Sequence, residues 1–116
     1  MDKIKIKGVE LDIDLMDADV METVETAVER VKTGSAKIQA DETMKNSQGI
    51  RAVCHLVFEC FNAIFGEGTD KKLFGSRTNM TECLEAFAEF CTQAIQQPKD
   101  TMAGLMAKYS PARLKK

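Results

Sequence analysis

The chain has 116 residues, 44% hydrophobic and 29% charged, which suffices for one domain with a core of its own and excludes a disordered chain. A formal net charge of −2 gives no general electrostatic case for nucleic acid or an anionic membrane. The start "MDKIKIKGVE" has no apolar signal region, and the cysteines at 54, 60, 83 and 91 form no C-x-x-C pair, so a reduced intracellular protein is expected.

Residues 3–14, "KIKIKGVELDID", alternate charge and bulk. A two-residue turn at Lys7-Gly8, with Gly8 at positive φ, sets Ile6 opposite Val9 and Ile4 opposite Leu11 on one face. The other face then pairs Lys5 with Glu10 and Lys3 with Asp12, contacts worth ~0.2–1 kcal/mol each. A slip of one residue would put charge against isoleucine, so both faces agree on one register.

The next stretch, "DADVMETVETAVERVKTG", predicts a helix capped by Asp19 with Glu22, with Asp17 adding favourable charge. Val20, Val24, Ala27, Val28 and Val31 recur at helical spacing, and Gly34 reads as the C-cap. Segment 35–46 has only Ile38 and Met44 as bulky anchors and reads as a weak helix or an exposed connector.

The strongest helical pattern covers 47–65, with Ser47 as cap. Its stripe runs through Ile50, Val53, Cys54, Val57, Phe58, Phe61, Ile64 and Phe65, and Gly66 and Gly68 stop it. "TDKKLFG" predicts a single turn from Thr69 with Leu73 and Phe74 as its apolar side. Asn79 and Glu82 open a helix over 79–97, with Met80, Cys83, Leu84, Phe87, Cys91, Ala94 and Ile95 on one face and Phe90 beside it.

Pro98 ends that helix or starts the next. "KDTMAGLMAKY" predicts a short last helix with Met102, Leu105, Met106 and Tyr109 on one side, and 110–116 read as a mobile basic tail. The expected fold is mainly α: one domain, with a β-hairpin in 1–15 and a small bundle of about four helices across 17–109. The hairpin's apolar face packs on the 47–65 and 79–97 helices or joins a neighbour's sheet.

Charge is uneven. Residues 1–30 hold nine acids against four basic residues, and the last nine residues hold four basic residues and no acid. Such ends can steer two copies, or a partner, into register.

No catalytic pattern emerges. Cys54 and His55 are adjacent and point about 100° apart on a helix, so they do not form a thiolate–imidazolium pair. The cysteine spacings lack the short-loop geometry of structural zinc, and "GEGTDKK" follows a helix where phosphate loops follow a strand. A non-enzymatic protein without metal or cofactor is the expectation. Surface is what remains: Met102, Leu105, Met106 and Tyr109 on the last helix, with Phe74, are the candidate partner contacts. Methionine adapts to varied surfaces.

"IKIKGVELDID", "MDADVMETVETAVERV", "FNAIFGEGTDKKLFG", "NMTECLEAFAEFCTQ" and "YSPARLKK" together cover most of the chain. They resemble small phage and prophage proteins of tail-morphogenesis modules. Through its hairpin-plus-helices plan the chain also resembles, more distantly, the tail assembly chaperones. That resemblance implies a self-associating, non-enzymatic protein of the host bacterial cytoplasm that binds the tape-measure protein and keeps its apolar helices soluble. The rival expectation is a phage-encoded interaction or inhibitor protein acting on a host factor or defence system. A chaperone gene lies between tail-tube and tape-measure genes, whereas an inhibitor gene stands apart. A nucleic-acid binder working through "KYSPARLKK" would show strong salt dependence, and the acidic first quarter argues against it.

Overall fold

The computed structural model describes residues 2–109, with the side chain of Asp2 excepted. The basic segment 110–116 lies outside them. Strands β1 (Asp2–Ile6) and β2 (Val9–Ile13) form an antiparallel hairpin. Its register pairs Ile6 with Val9, Lys5 with Glu10, Ile4 with Leu11 and Lys3 with Asp12, as the alternation predicts. Lys7 and Gly8 both take positive φ, 51° and 80°, the signature of a type I′ turn whose twist suits a hairpin. Among the described residues, neither cross-strand charge pair closes to an ion pair; Lys7 instead reaches Glu82, Nζ to Oε1 at 2.7 Å.

Helix α1 (Ala18–Ala40) differs from expectation at both ends. Asp17, not Asp19, is the cap: its carboxylate accepts from the backbone N–H groups of Asp19 and Val20 at 3.0 and 3.1 Å. Gly34 does not end the helix. A Cβ there would sit 2.7 and 2.9 Å from the two methyls of Leu56, so Gly34 marks a close approach between helices rather than a cap. The helix therefore absorbs residues 35–40. Asp41 stops it, folding its carboxylate onto the Thr43 N–H and hydroxyl at 2.9 and 2.6 Å.

Helix α2 (Asn46–Phe65) begins one residue early, and Ser47 lies inside its first turn. The Gln48 side chain accepts from the Lys45 N–H at 2.9 Å instead. Val53, Cys54, Val57, Cys60 and Phe61 are buried, so α2 is covered on two sides, by α1 and by the helices that follow. Helix α3 (Thr69–Phe74) is tied back by Asn62, whose side chain accepts from the Asp70 N–H at 2.9 Å. Helix α4 (Met80–Cys91) starts at Asn79, whose side chain accepts from the Glu82 N–H at 3.0 Å, as predicted.

The core is an interlock of rings and branched chains. Phe61 meets Phe90 edge-on at 5.4 Å between centroids, and Phe65 meets Phe90 at 6.0 Å. Ile4, Ile6, Leu11, Ile13 and Leu15 join the same core with Val24, Val28 and Val31 of α1. The hairpin's apolar face thus packs onto this chain's own helices. The edge of β1 is bonded too. Gln93 accepts from the Lys5 N–H at 2.9 Å and donates to the Lys5 carbonyl at 2.8 Å, while Glu89 accepts from the Lys7 N–H at 2.9 Å. A side-chain amide here replaces a neighbouring strand.

Candidate functional site

Pro98 brings no backbone N–H, and inside a regular helix its ring would collide with the carbonyl four residues back. The chain neither stops nor restarts there. It passes through a π-helical turn, Thr92–Gln96, and continues as α5 (Gln97–Tyr109), so residues 80–109 form one helical rod. The wider turn lets the rod carry proline, and the same turn holds Gln93, the residue that clamps β1.

Beyond Pro98 the rod leaves the body. Every described residue from Lys99 to Tyr109 is exposed, and the π turn is the one element on which α5 packs substantially. The radius of gyration is 17.0 Å and the longest extent 64 Å, against about 13 Å radius for a compact domain of this size. Met102, Leu105, Met106 and Tyr109 recur at helical spacing and are 49%, 44%, 66% and 64% exposed. Four of the five side chains singled out in the sequence are thereby brought together on one stripe.

Phe74 is not among them. It lies in the core, 5% exposed, with its ring 5.3 Å from that of Phe58 and 6.1 Å from that of Phe61. Lys7 Nζ stands 5.2 Å from the ring centroid, a cation–π contact that helps hold the hairpin turn to α3. Phe74 offers no surface to a partner, because the single turn that carries it is rolled inward by Leu73 and the buried Thr69.

Two concave surfaces accompany the arm. A groove of about 750 Å³ runs between α1 and α2 over a floor of Ala27, Leu56 and Cys60, flanked by Glu25, Glu29, Glu59 and Lys37. A second cleft of about 600 Å³ lies where α1 ends and α2 and α4 begin, with Ile38, Met44, Ile50, Met80 and Leu84 around it. The groove was missed in the sequence. Its signals were present: Ala27 and Gly34 fall seven residues apart on α1, and Val53, Leu56, Val57 and Cys60 make a second stripe on α2.

The thiols are buried or half-buried, and the histidine is not. His55 is exposed, its ring 5.8 Å from that of Phe58. The structure brings Cys54 against Cys83 and Cys60 near Cys91. Burial, then the neighbouring Cys54, pushes the Cys83 thiol up to about 12. Burial and then Cys91 do the same to Cys60, also to about 12, and burial raises Cys91. Protonated thiols of this kind are poor nucleophiles and poor metal ligands. Among the described residues no three His, Cys, Asp or Glu side chains lie close enough to share a metal ion. None of the described helices is long and apolar enough to cross a membrane.

Residues 7–116 match the family of unknown function DUF6673. No curated protein and no solved structure matches the chain. The protein belongs to the DUF6673 family.

Proposed function

We propose that this protein is a non-enzymatic factor of phage tail morphogenesis, a tail assembly chaperone that holds apolar helices of the tape-measure protein in the host bacterial cytoplasm. The carrying observation is the projecting α5, with Met102, Leu105, Met106 and Tyr109 exposed on one stripe. An isolated helix of 13 residues is marginal in water, and a row of large apolar side chains is unfavourable there. A partner helix laid along the stripe relieves both. Methionines at two of the four positions suit a client of varied sequence. Four free thiols suit a reducing compartment.

The test is coexpression with the tape-measure protein. The intact chain should copurify with it and raise its soluble yield several-fold, and Leu105→Asp with Met106→Asp should abolish both effects without unfolding the body. Neither copurification nor a gain in soluble client with the intact chain would overturn the reading.

A further inference from the structure

We infer that α5 of one copy docks into the α1–α2 groove of a second copy, antiparallel to α1. Length is the first argument. At 1.5 Å per residue, the 13 residues of α5 span roughly 20 Å, and the groove, lined from Glu25 to Lys37 along α1, spans roughly 18 Å, with a smaller hollow beside Glu22 and Thr23 extending it. Shape is the second: the arm presents bulky knobs, and the groove floor is built of small or recessed residues, Ala27, Cys60 and Leu56.

Charge sets the direction. The groove end nearest the start of α1 carries Glu22, Glu25, Glu29 and Glu59 against Arg30 alone, and Lys37 marks the other end. The arm holds Lys99 and Asp100 in its first turn and Lys108 in its last, after which the sequence adds Arg113, Lys115 and Lys116 and no acid, so positive charge gathers toward its end. Running antiparallel to α1 places Lys108 toward Glu29 and Glu25. At about 100° per residue Lys99 and Lys108 flank the apolar stripe while Asp100 falls on the opposite side of the arm, so lysines border the face that enters a groove lined by more acids than bases.

A chain cannot satisfy its own groove in this way. The arm continues α4 as one rod and is carried away from the body. Each copy offers one arm and one groove, so two copies exchanging arms about a two-fold axis leave neither open. The inference rests on α5 as an interaction element, as the proposed function does, and needs no tail client.

Light scattering on the full-length chain after size exclusion, without client, tests it. The mass should reach at least twice 12.9 kDa at micromolar concentration and fall to the monomer on dilution. Glu25→Lys with Glu29→Lys should weaken the assembly by about tenfold or more, and Lys108→Glu in that background should recover part of the loss. Those side chains are exposed, so the body keeps its fold, which circular dichroism verifies. A monomer at every concentration overturns the inference. So does an assembly lost with Met106→Asp but indifferent to the groove reversals, which would mean arm-to-arm pairing. A monomer that still solubilises the tape-measure protein sinks this inference alone; an arm-exchanged dimer with no effect on that client sinks the tail reading alone.

Discussion

Phe61 and Met106 are both bulky side chains on well-formed helices, and their surroundings are opposite. Phe61 is fully buried, 5.4 Å from the Phe90 ring, whereas Met106 is 66% exposed on a helix that touches little besides its own root. The contrast runs within one continuous rod. Its first half, α4 with the π turn, is covered by α2 and clamped to the hairpin through Glu89 and Gln93; its second half has no such support. Backbone continuity carries helical geometry past Pro98, but tertiary stabilisation does not follow it.

Amide exchange should show the largest difference. In dilute monomer, amides of residues 101–109 should exchange almost as fast as in a free peptide, while those around Val57 and Phe61 open only with global unfolding. The ratio of rates should span several orders of magnitude, and it should shrink as concentration rises if arms are exchanged. Comparable protection in α4 and α5 of the monomer would erase the distinction.

Substitution separates the halves next. Phe61→Ala should lower stability by about 3–5 kcal/mol through lost transfer energy and a cavity among Phe65, Phe74 and Phe90. Met106→Ala should stay within about 0.5 kcal/mol in the monomer. Urea midpoints of the two variants measure both.

A smaller effect tests the α1–α2 contact. Gly34→Ala gains up to about 1 kcal/mol of helix propensity but drives its methyl into Leu56. With Leu56→Ala the obstruction disappears, so the double-mutant cycle should show a favourable coupling of about 0.5–1 kcal/mol. Additive changes would mean that Leu56 moves aside without cost.

These sites also show what the sequence could and could not yield. The hairpin was legible to the residue, because period-two alternation admits one register and the turn residues agree with it. The Asn79 cap and the middle of the α2 stripe, Val53 to Phe61, were legible for the same reason, local chemistry matching local geometry, whereas Ile50 at the head of the stripe is exposed and Cys60 beside it is buried. Gly34 was misread because a glycine's role at a helix terminus and at a helix crossing look alike until the opposing Leu56 is known. Pro98 was misread because the remedy, a π turn, depends on backbone geometry rather than on residue type. Phe74 and the arm residues looked equivalent, being apolar side chains on short helices. Their fates were decided by neighbours far away in sequence, Lys7 and Phe58 for Phe74 and none within the described residues for Met106.

The smallest expected effect belongs to Glu82, which ties the hairpin turn to the body. Its Oε1 accepts from Lys7 Nζ at 2.7 Å and its Oε2 from Arg77 Nε at 2.6 Å. The Lys7 hydrogen bond first, with the Arg77 hydrogen bond and both charges adding to it, holds the carboxyl below its ordinary range. A carboxyl whose pKa is lower folded than unfolded adds stability in full above the ordinary carboxylate range, and that stability is lost as pH falls through the folded value. Wild type should therefore exceed Glu82→Gln modestly near neutral pH, and the gap should close in acid. High salt should narrow it as well, because all three side chains are open to solvent. The loss should fall on the hairpin and α3, through Lys7 and Phe74, and leave exchange in α5 unchanged. A gap that persists in acid would assign the role of Glu82 to packing of its stem rather than to its charge.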